Sequence, residues 1–413
     1  MLNQRTICMT AGRTMVKLFL MKSSMLLPGS DKTFSVLLLL SWHHDELITG
    51  TLKFSKEHNW YTNILPTFSQ ELPRNWRGDG ILMMLPADMG ERASYLRLVK
   101  QLKKPCVMLS PYPNCAHFPH VHLDHVAIGR LAADHLIERG YNNIYFFSAM
   151  RRWDRKLRQQ AFVQRLGEHG KKASIYIGPH INEQRVQEEI RLFVRKIAKA
   201  PRPYAIWAVN DIIAASMLEA LADANIAVPE EAIVLGCENM VLVAENCRPT
   251  LSSIDSNLDG LAYQGATMLH GLMQKTKKQR LSVTVAPRGL VSRASTDNWW
   301  AEHEGVRKVI NLIRTEYSQN LRSAEFCRAA GMSRIGLFAA INREMGKSAH
   351  EILEWHRVKA AEAQLRNTDD KISFVAASCG FRSSINLRRT FYRIHKLSTE
   401  AWRKREQEQT PLK

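Results

Sequence analysis

A cluster of cations near the end of the chain carries the sharpest chemical signal in the sequence. Five cations lie within a stretch of fifteen residues that contains no acid: Arg382, Arg388, Arg389, Arg393 and Lys396. Ser384 and Asn386 lie among them. An arginine can donate two hydrogen bonds to O6 and N7 of guanine, and the remaining cations can hold phosphates. The plainer explanation is a solvated basic helix face, so the neighbouring sequence decides between the two.

One pattern occurs twice in the neighbouring sequence, in residues 329–341 and 377–391. Each copy has a helix ended by a glycine, Gly331 or Gly380, which can take the left-handed conformation of a sharp turn. An apolar residue follows, and then a serine, Ser333 or Ser383, that can cap the next helix. This order of features is typical of a helix-turn-helix.

A helix predicted over residues 349–365 joins the two copies and would span roughly 25 Å. Such a connector could set two reading helices in neighbouring segments of a major groove, about 34 Å apart. The first reading helix opens with Ser333 and Arg334 and then offers few polar side chains. The sequence therefore predicts double-stranded DNA contacts at the following residues: Ser333, Arg334, Arg382, Ser384, Asn386, Arg388, Arg389, Arg393 and Lys396.

Composition and charge agree with a polyanionic partner. The chain has 413 residues and a net charge of +19, with an apolar fraction of 45% that indicates globular domains rather than disorder. Residues 304–413 hold 21 Lys and Arg against 12 Asp and Glu, so they are the more basic part. The seven scattered cysteines form no CxxC pair, which argues against a disulfide scaffold and favours a reducing cytoplasm. No apolar run approaches the ~20 residues that cross a bilayer, and we expect no membrane association.

The region before the helical segment alternates strands and helices. Its strands are continuous apolar runs, as in Phe34–Leu40 and Ala205–Val209, and amphipathic helices separate them. Strands of this kind indicate parallel sheets covered on both faces. We therefore expect an α/β fold with two doubly wound lobes over residues 34–297. An all-α domain with two helix-turn-helix motifs should follow over 304–406, with a poorly ordered leader at 1–33 and a tail at 407–413.

The helical segment resembles the DNA-binding domain of AraC-type transcription regulators over about 100 residues. The resemblance rests on Arg357, Ala361, Leu365 and Thr368, then on Gly380-Phe381, Ser383, Leu387, Arg389 and Phe391, and on the closing Trp402-Arg403. Lys396 and Thr399 stand where that family usually has glycine and proline.

Residues 34–297 resemble the sugar-sensing domain of LacI-type repressors, a periplasmic-binding-protein fold. The landmarks occur in the expected order: Gly78-Asp-Gly-Ile-Leu, Asp124 before Ile128-Gly129, Arg158 before Ala161-Phe162, Asn210-Asp211, Leu235-Gly-Cys-Glu238-Asn239 and Leu251-Ser-Ser-Ile. A sensor of this type placed before an AraC-type domain is similar to the xylose-responsive XylR regulators.

The resemblance implies a sugar site made by Asp124, Arg158, Asn210 and Glu238, although the family commonly has aspartate where Glu238 stands. Carboxylates and guanidinium groups suit neighbouring hydroxyls. Trp42 and Trp153 lie in loops from which they could stack on a sugar. Simpler roles remain open: packing for the tryptophans, a surface salt bridge for Arg158 and helix capping for Asp124.

Two histidine clusters superficially resemble metal sites. His117, His120, His122 and His125 with Asp124 occupy a predicted strand and its flanking loops, and alternate residues of a strand face opposite sides. Residues 43–46 suit a loop and a helix start better than a metal. No GxSxG, P-loop or HExxH motif occurs. We therefore expect no enzyme activity, no cofactor and no metal.

Together these patterns predict a cytoplasmic transcription regulator, a homodimer, whose operator binding responds to a small xylose-like sugar. One alternative is a carbohydrate-binding module without DNA function. Another is a DNA-repair methyltransferase fused to the same DNA-binding domain, which would need a nucleophilic cysteine in a reactive setting, whereas Cys106, Cys115 and Cys237 are typical of buried small residues.

Overall fold

The computed structural model describes residues 33–41, 44–69, 72–73, 75–86, 88–115, 117–149, 152–178, 185–275, 281–299 and 301–409. The predicted leader lies outside these residues except for its last residue, Thr33, and Trp42 lies outside them as well.

The first lobe is built around a parallel sheet of six strands in the order β11-β5-β4-β3-β1-β2. The strands are β1 Phe34–Leu40, β2 Trp60–Asn63, β3 Gly80–Met84, β4 Cys106–Leu109, β5 His120–Leu123 and β11 Ser282–Val285. Its helices are α1 Asp45–Glu57, α2 Leu65–Ser69, α3 Met89–Leu102 and α9 Leu258–Met273. The continuous apolar run of β1 is buried because helices cover both faces of the sheet.

The second lobe has a six-stranded sheet in the order β12-β10-β9-β8-β6-β7, in which only the short β12 runs antiparallel. The strands are β6 Ile144–Ser148, β7 Ala173–Ile177, β8 Tyr204–Ala208, β9 Ala232–Cys237, β10 Ser252–Asp255 and β12 Gly289–Val291. Its helices are α4 His125–Glu138, α5 Trp153–Glu168, α6 Val186–Ile197, α7 Asp211–Asp223 and α8 Val241–Ala244.

The chain passes between the lobes three times: after β5, after β10 and after β11. The first crossing leads directly into α4, which packs closely on α5. Gly129 permits that approach, since a Cβ there would lie 2.3 Å from the backbone oxygen of Arg158. Ligands bind at the carboxyl ends of parallel strands, so the starts of α4, α5 and α7 face the interlobe cleft.

The remaining helices form two small cores around one long connector. They are α10 Glu304–Glu316, α11 Ser323–Ala330, α12 Arg334–Met345, α13 Ala349–Asn367, α14 Ile372–Ser378, α15 Ser384–His395 and α16 Thr399–Gln409. Ile352 and Leu353 of α13 belong to the first core, whereas Val358 and Leu365 of the same helix belong to the second.

The expected fold class, two α/β lobes followed by an all-α domain, is confirmed. The strands β2, β10 and β12 are additions to the predicted set, and each has only three or four residues. Helix α16 runs to Gln409 and so crosses the expected boundary at 406. No helix among the described residues is both long and apolar enough to cross a membrane.

Candidate functional site

Two of the predicted sugar contacts, Asp124 and Asn210, act as helix caps. Asp124 Oδ1 accepts from the backbone N–H of Ala127 at 2.8 Å, and Asn210 Oδ1 accepts from that of Ile213 at 3.0 Å. The capping alternative is therefore realised for Asp124. Each cap uses one side-chain oxygen, so the Nδ2 amide of Asn210 and the second carboxylate oxygen of Asp124 stay available for other partners.

Arg158 is 3% exposed and organises the second lobe's side of the cleft. Its Nε donates to His125 Nδ1 at 3.2 Å, and one Nη donates to the backbone oxygen of Val209 at 3.1 Å and to Cys237 Sγ at 3.3 Å. The Glu238 carboxylate lies 3.9 Å from the same nitrogen. The surface salt bridge considered for Arg158 is thus excluded by its burial.

Five cleft side chains carry a buried polar atom that has no hydrogen-bond partner among the described residues. These atoms are Tyr112 Oη, His125 Nε2, Trp153 Nε1, Arg155 Nη1 and Glu238 Oε2. A buried polar group without a partner costs about 1–3 kcal/mol, so its presence in a cleft indicates a ligand that supplies the missing bonds. Trp153, whose ring meets His125 edge-on at a centroid distance of 5.4 Å, is brought into this set as predicted.

Tyr112, His125 and Arg155 were missed from the sequence as ligand-binding candidates. His125 immediately follows the predicted Asp124, and Arg155 lies on α5 between the predicted Trp153 and Arg158. Their position next to predicted site residues was the signal in the sequence that could have identified His125 and Arg155. Tyr112 lies in the loop after β4, where only the fold shows that the loop reaches the cleft.

Glu238 lies on a strained loop that a buried carboxylate supports. Glu238 and Asn239 have φ values of +101° and +52°, in the left-handed region that non-glycine residues seldom adopt. Asp211 Oδ2 accepts from the backbone N–H of Met240 at 2.7 Å, and Ser253 Oγ donates to Asp211 Oδ1 at 2.6 Å. Burial outweighs these hydrogen bonds and raises the pKa of Asp211 to about 7.

His44 contributes from the first lobe and is fully buried. Its Nδ1 lies 2.7 Å from Glu46, and its Nε2 lies 4.0 Å from Glu238 of the other lobe. Burial alone lowers the pKa of His44, but Glu46 and Glu238 outweigh it and raise that pKa. The two lobes are therefore linked electrostatically across the cleft. No group of three or more metal-ligating side chains is found in the described ranges.

The C-terminal domain presents two helix-turn-helix motifs, α11–α12 and α14–α15. Gly331 and Gly380 adopt φ values of +65° and +79°, and Ser333 and Ser383 each cap the following helix by accepting a backbone N–H at 3.3 Å. At Gly380 a side chain would also meet backbone oxygens 2.7 Å away. The turn chemistry predicted from the sequence is confirmed.

The predicted DNA-contacting cations are all exposed on this domain. Arg388 donates to Glu400 at 3.0 and 2.6 Å, and Arg393 pairs with Glu354, so these two are held by the protein's own carboxylates. Arg382, Arg389 and Lys396 have no ion pair in the described part of the chain. Surface pairs are weak, about 0–1 kcal/mol, and a phosphate can replace them.

The two large regions of the chain meet at a junction centred on Arg139, directly after α4. The Arg139 side chain is 1% exposed, and its guanidinium carbon lies 4.2 Å from the ring centre of Trp355 and 4.9 Å from that of Trp299. A desolvated cation–π contact contributes about 2 kcal/mol. Trp355 lies on α13, so the cation connects the second lobe to the connector of the helix-turn-helix domain.

Further contacts surround this junction, which we call the Arg139 junction. His135 Nε2 of α4 lies 2.9 Å from Thr296 Oγ1, Glu138 pairs with Lys347, and Arg314 Nη1 lies 3.0 Å from Glu230. Helix α4 therefore begins at the cleft with His125 and ends among groups that hold the C-terminal domain. At 1.5 Å per residue, its fourteen residues span about 21 Å.

The three cysteines considered for a methyltransferase, Cys106, Cys115 and Cys237, lie in buried settings that do not favour a reactive thiol. Burial raises the pKa of Cys106 to about 12 and that of Cys237 to about 11, and it also raises the pKa of Cys115. Protonated, enclosed thiols are poor nucleophiles.

Comparisons with known proteins agree with this division. Residues 133–296 match the family described as periplasmic binding protein-like domain, and residues 326–405 match a helix-turn-helix domain family. The xylose operon regulatory protein of Escherichia coli is 26% identical over 318 residues, covering 75% of this chain and 80% of that protein. Its Haemophilus influenzae counterpart is 27% identical over 271 residues, covering 65% and 70%.

Among solved structures, that of a xylose-binding transcription activator covers 90% of this chain and 98% of its own, with a TM-score of 0.57 and 23% identity. The complex of a transcriptional regulator with cellobiose covers 69% and 89%, with a TM-score of 0.54 and 16% identity. These likenesses confirm the fold. The chain is a homologue of the xylose operon regulatory proteins, and in this chain a periplasmic-binding-protein-like domain precedes an AraC-type helix-turn-helix domain.

Proposed function

We propose that this chain is a sequence-specific DNA-binding transcription regulator whose operator binding is controlled by a small sugar in the interlobe cleft. The observation that carries the proposal is the placement of α4. One end of that helix presents the buried His125 to the cleft, with its Nε2 lacking a hydrogen-bond partner among the described residues, and the other end enters the Arg139 junction with the DNA-binding domain. Relatives named as xylose operon regulators favour a xylose-like monosaccharide.

The cleft suits a polyol because it offers both donors and an acceptor in a dry setting. Glu238 Oε2 can accept from a hydroxyl, while His125 Nε2 and Trp153 Nε1 can donate to ring or hydroxyl oxygens. Arg158 positions His125 and Glu238 from behind rather than offering its whole guanidinium to the ligand. Of the six predicted contacts, we retain Arg158, Glu238, Trp153, Asp124 and Asn210 as site residues.

A ligand can control DNA binding only through different affinities for two states of the protein. His44 of the first lobe already lies 4.0 Å from Glu238 of the second, so opening of the lobes would separate these two side chains and closure would restore their contact. Helix α4 follows β5 of the first lobe directly and packs in the second lobe. A change in the relative position of the lobes is therefore transmitted through α4 to the Arg139 junction. The orientation of the helix-turn-helix domain then follows the state of the cleft.

At the DNA, Arg389 is exposed on α15, Arg382 is exposed just before that helix and Lys396 directly after it, and Asn386 lies in its first turn. We assign base reading to Arg389 and Asn386, and phosphate contacts to Arg334, Arg382, Arg388, Arg393 and Lys396. The caps Ser333 and Ser383 fix the first turns, and Ser384 stands beside the second cap. We also propose action in the cytoplasm as a homodimer, since tandem half-sites suit paired readers.

The test combines a thermal-shift screen of monosaccharides with DNA binding by the full chain. A sugar that occupies the cleft raises the melting temperature by mass action. The same sugar should change the affinity for a duplex selected by the full chain from a random pool, measured by fluorescence anisotropy. Sugar binding without any change in DNA affinity would support the carbohydrate-binding module instead, and DNA binding that no sugar alters would contradict control by a sugar.

A further inference from the structure

The two reading helices, α12 and α15, carry the same exposed apolar residue at the same place. Ile335 and Ile385 each stand two residues after a serine cap, Ser333 and Ser383. Ile335 is 86% exposed and Ile385 is 70% exposed. A single exposed isoleucine is common on a protein surface, but this matched pair lies at the start of both reading helices, the part of the motif that meets base edges.

The orientation of both isoleucines is set by the buried residue that follows them. Leu337 and Leu387, two residues further on, are fully buried in the two small cores of the domain. An α-helix turns by about 100° per residue, so two residues separate side chains by about 200°. Ile335 and Ile385 therefore point almost directly away from the interior of the domain, towards the side on which a duplex lies.

The outward face of α12 differs from that of α15 in what it offers to a base pair. From Ile335 to Ala339, α12 has no side chain that donates or accepts a hydrogen bond. At the positions of Phe338 and Ala339, α15 instead has Arg388 and Arg389. Over this stretch α12 cannot read base edges by side-chain hydrogen bonds, and the apolar group that the major groove offers is the C5 methyl of thymine.

The charge of the surroundings favours a duplex over an apolar protein partner on this face. Arg334 precedes Ile335, Arg382 lies three residues before Ile385, and both arginines are exposed. Residues 304–413 hold 21 Lys and Arg against 12 Asp and Glu, an excess of nine positive charges. A duplex whose phosphates contact these cations brings its base edges to the two isoleucines.

We infer that Ile335 and Ile385 are specificity-determining residues, each of which packs on the C5 methyl group of a thymine in the major groove. Helix α12 reads its segment by apolar contact, whereas α15 combines such a contact with the hydrogen bonds of Asn386 and Arg389. This inference rests on the proposed function and specifies what the two reading helices recognise. The operator then has a fixed thymine in each of two segments about one helical turn apart.

The test replaces thymine by uracil in the duplex that the full chain selects from a random pool. Deoxyuridine lacks only the C5 methyl group and pairs with adenine as thymidine does. Each thymine is replaced in turn, and the affinity of the full chain is measured by fluorescence anisotropy at constant salt. One substitution in each segment should weaken binding about fourfold, which is about 0.8 kcal/mol for one methyl group lost from the contact.

Alanine variants assign each methyl group to its isoleucine. In Ile335→Ala the uracil substitution in one segment should cost no further affinity, whereas the substitution in the other segment should keep its cost. Ile385→Ala should show the reverse. Ile394→Ala is the matched control and should keep both costs, because Ile394 is exposed on α15 but lies nine residues from Ile385, on the opposite side of the helix. Alanine at exposed helix positions changes stability little, and circular dichroism melts of the variants verify this.

The outcomes separate this inference from the proposed function. A selected sequence without a fixed thymine would overturn the inference and leave the proposed function intact. The same conclusion follows if uracil costs no affinity at any position, or if its costs persist in both Ile335→Ala and Ile385→Ala. If the full chain selects no duplex, the proposed function itself fails and the thymine contacts fail with it.

Discussion

The substitution Asp211→Asn tests the buried carboxylate behind the Glu238 loop. Asp211 is fully buried, and its pKa is raised to about 7 mainly by that burial. In the unfolded chain the same carboxyl titrates near 3.9, so the folded chain binds the proton more tightly. The stability that this proton provides is complete below about pH 4 and is lost as the pH rises through 7.

The magnitude follows from the difference in bound protons. Between pH 5 and pH 8, ionisation of the Asp211 carboxyl lowers the free energy of the unfolded chain more than that of the folded chain. The difference amounts to almost two pH units, at roughly 1.4 kcal/mol per unit. Asp211 should therefore cost the wild type about 2–3 kcal/mol of unfolding free energy over this range. An asparagine can keep both local bonds, since its oxygen accepts from Met240 N–H and its amide donates to Ser253 Oγ.

The assay is urea unfolding of the full chain at four pH values from 5 to 8, followed by tryptophan fluorescence. The stability of Asp211→Asn relative to wild type should increase with pH by about 2–3 kcal/mol. Asp223→Asn, an exposed change at the other end of α7, is the matched control and should differ from wild type equally at every pH. A gap that stays constant for Asp211→Asn would show that the carboxylate is ionised in the folded protein throughout, and the reasoning would be wrong.

Three further predictions concern the ligand, the junction and DNA. Arg158→Ala should abolish the sugar response and leave DNA binding intact; unchanged sugar affinity in a calorimetric titration would contradict the ligand assignment. Arg139→Met should keep sugar affinity but remove most of the sugar-dependent change in DNA anisotropy, because the cation between the two tryptophans is lost; full retention of that change would exclude the Arg139 junction as the link. Arg389→Ala should weaken binding to the selected duplex by about 1–3 kcal/mol, whereas Lys396→Ala should mainly reduce the salt dependence; equal loss on all sequences for Arg389→Ala would contradict base reading.

The long apolar strands and the turn residues were predictable because the local sequence alone indicates their conformation. Phe34–Leu40 reads as a buried strand, and Gly380 before Ser383 reads as a helix-turn-helix turn, without knowledge of distant contacts. The strands β2 and β10 read Trp-Tyr-Thr-Asn and Ser-Ser-Ile-Asp, and β12 has only three residues, so none of them contains a continuous apolar run like that of Phe34–Leu40.

The cleft was predictable as a place but not in its chemistry. The resemblance identified Arg158 and Glu238, but whether an atom is left without a partner depends on contacts between segments far apart in the sequence. Arg158 and Cys237, for example, are 79 residues apart and in contact. The donor role of His125 depends on such a contact with Arg158, 33 residues away. The pairing of Arg388 with Glu400 likewise required the position of α16.

The shared connector α13 has a consequence for the operator. Because the two halves of this one helix are built into two different cores, the two reading helices keep a fixed separation and angle. Contacted sequences on the same face of a duplex recur about every 10 base pairs. An insertion of about five base pairs between the two contacted segments would rotate one of them to the far side, and a rigid protein could then hold only one. An insertion of about ten base pairs would return both segments to the same side of the duplex but would leave them farther apart than the two reading helices.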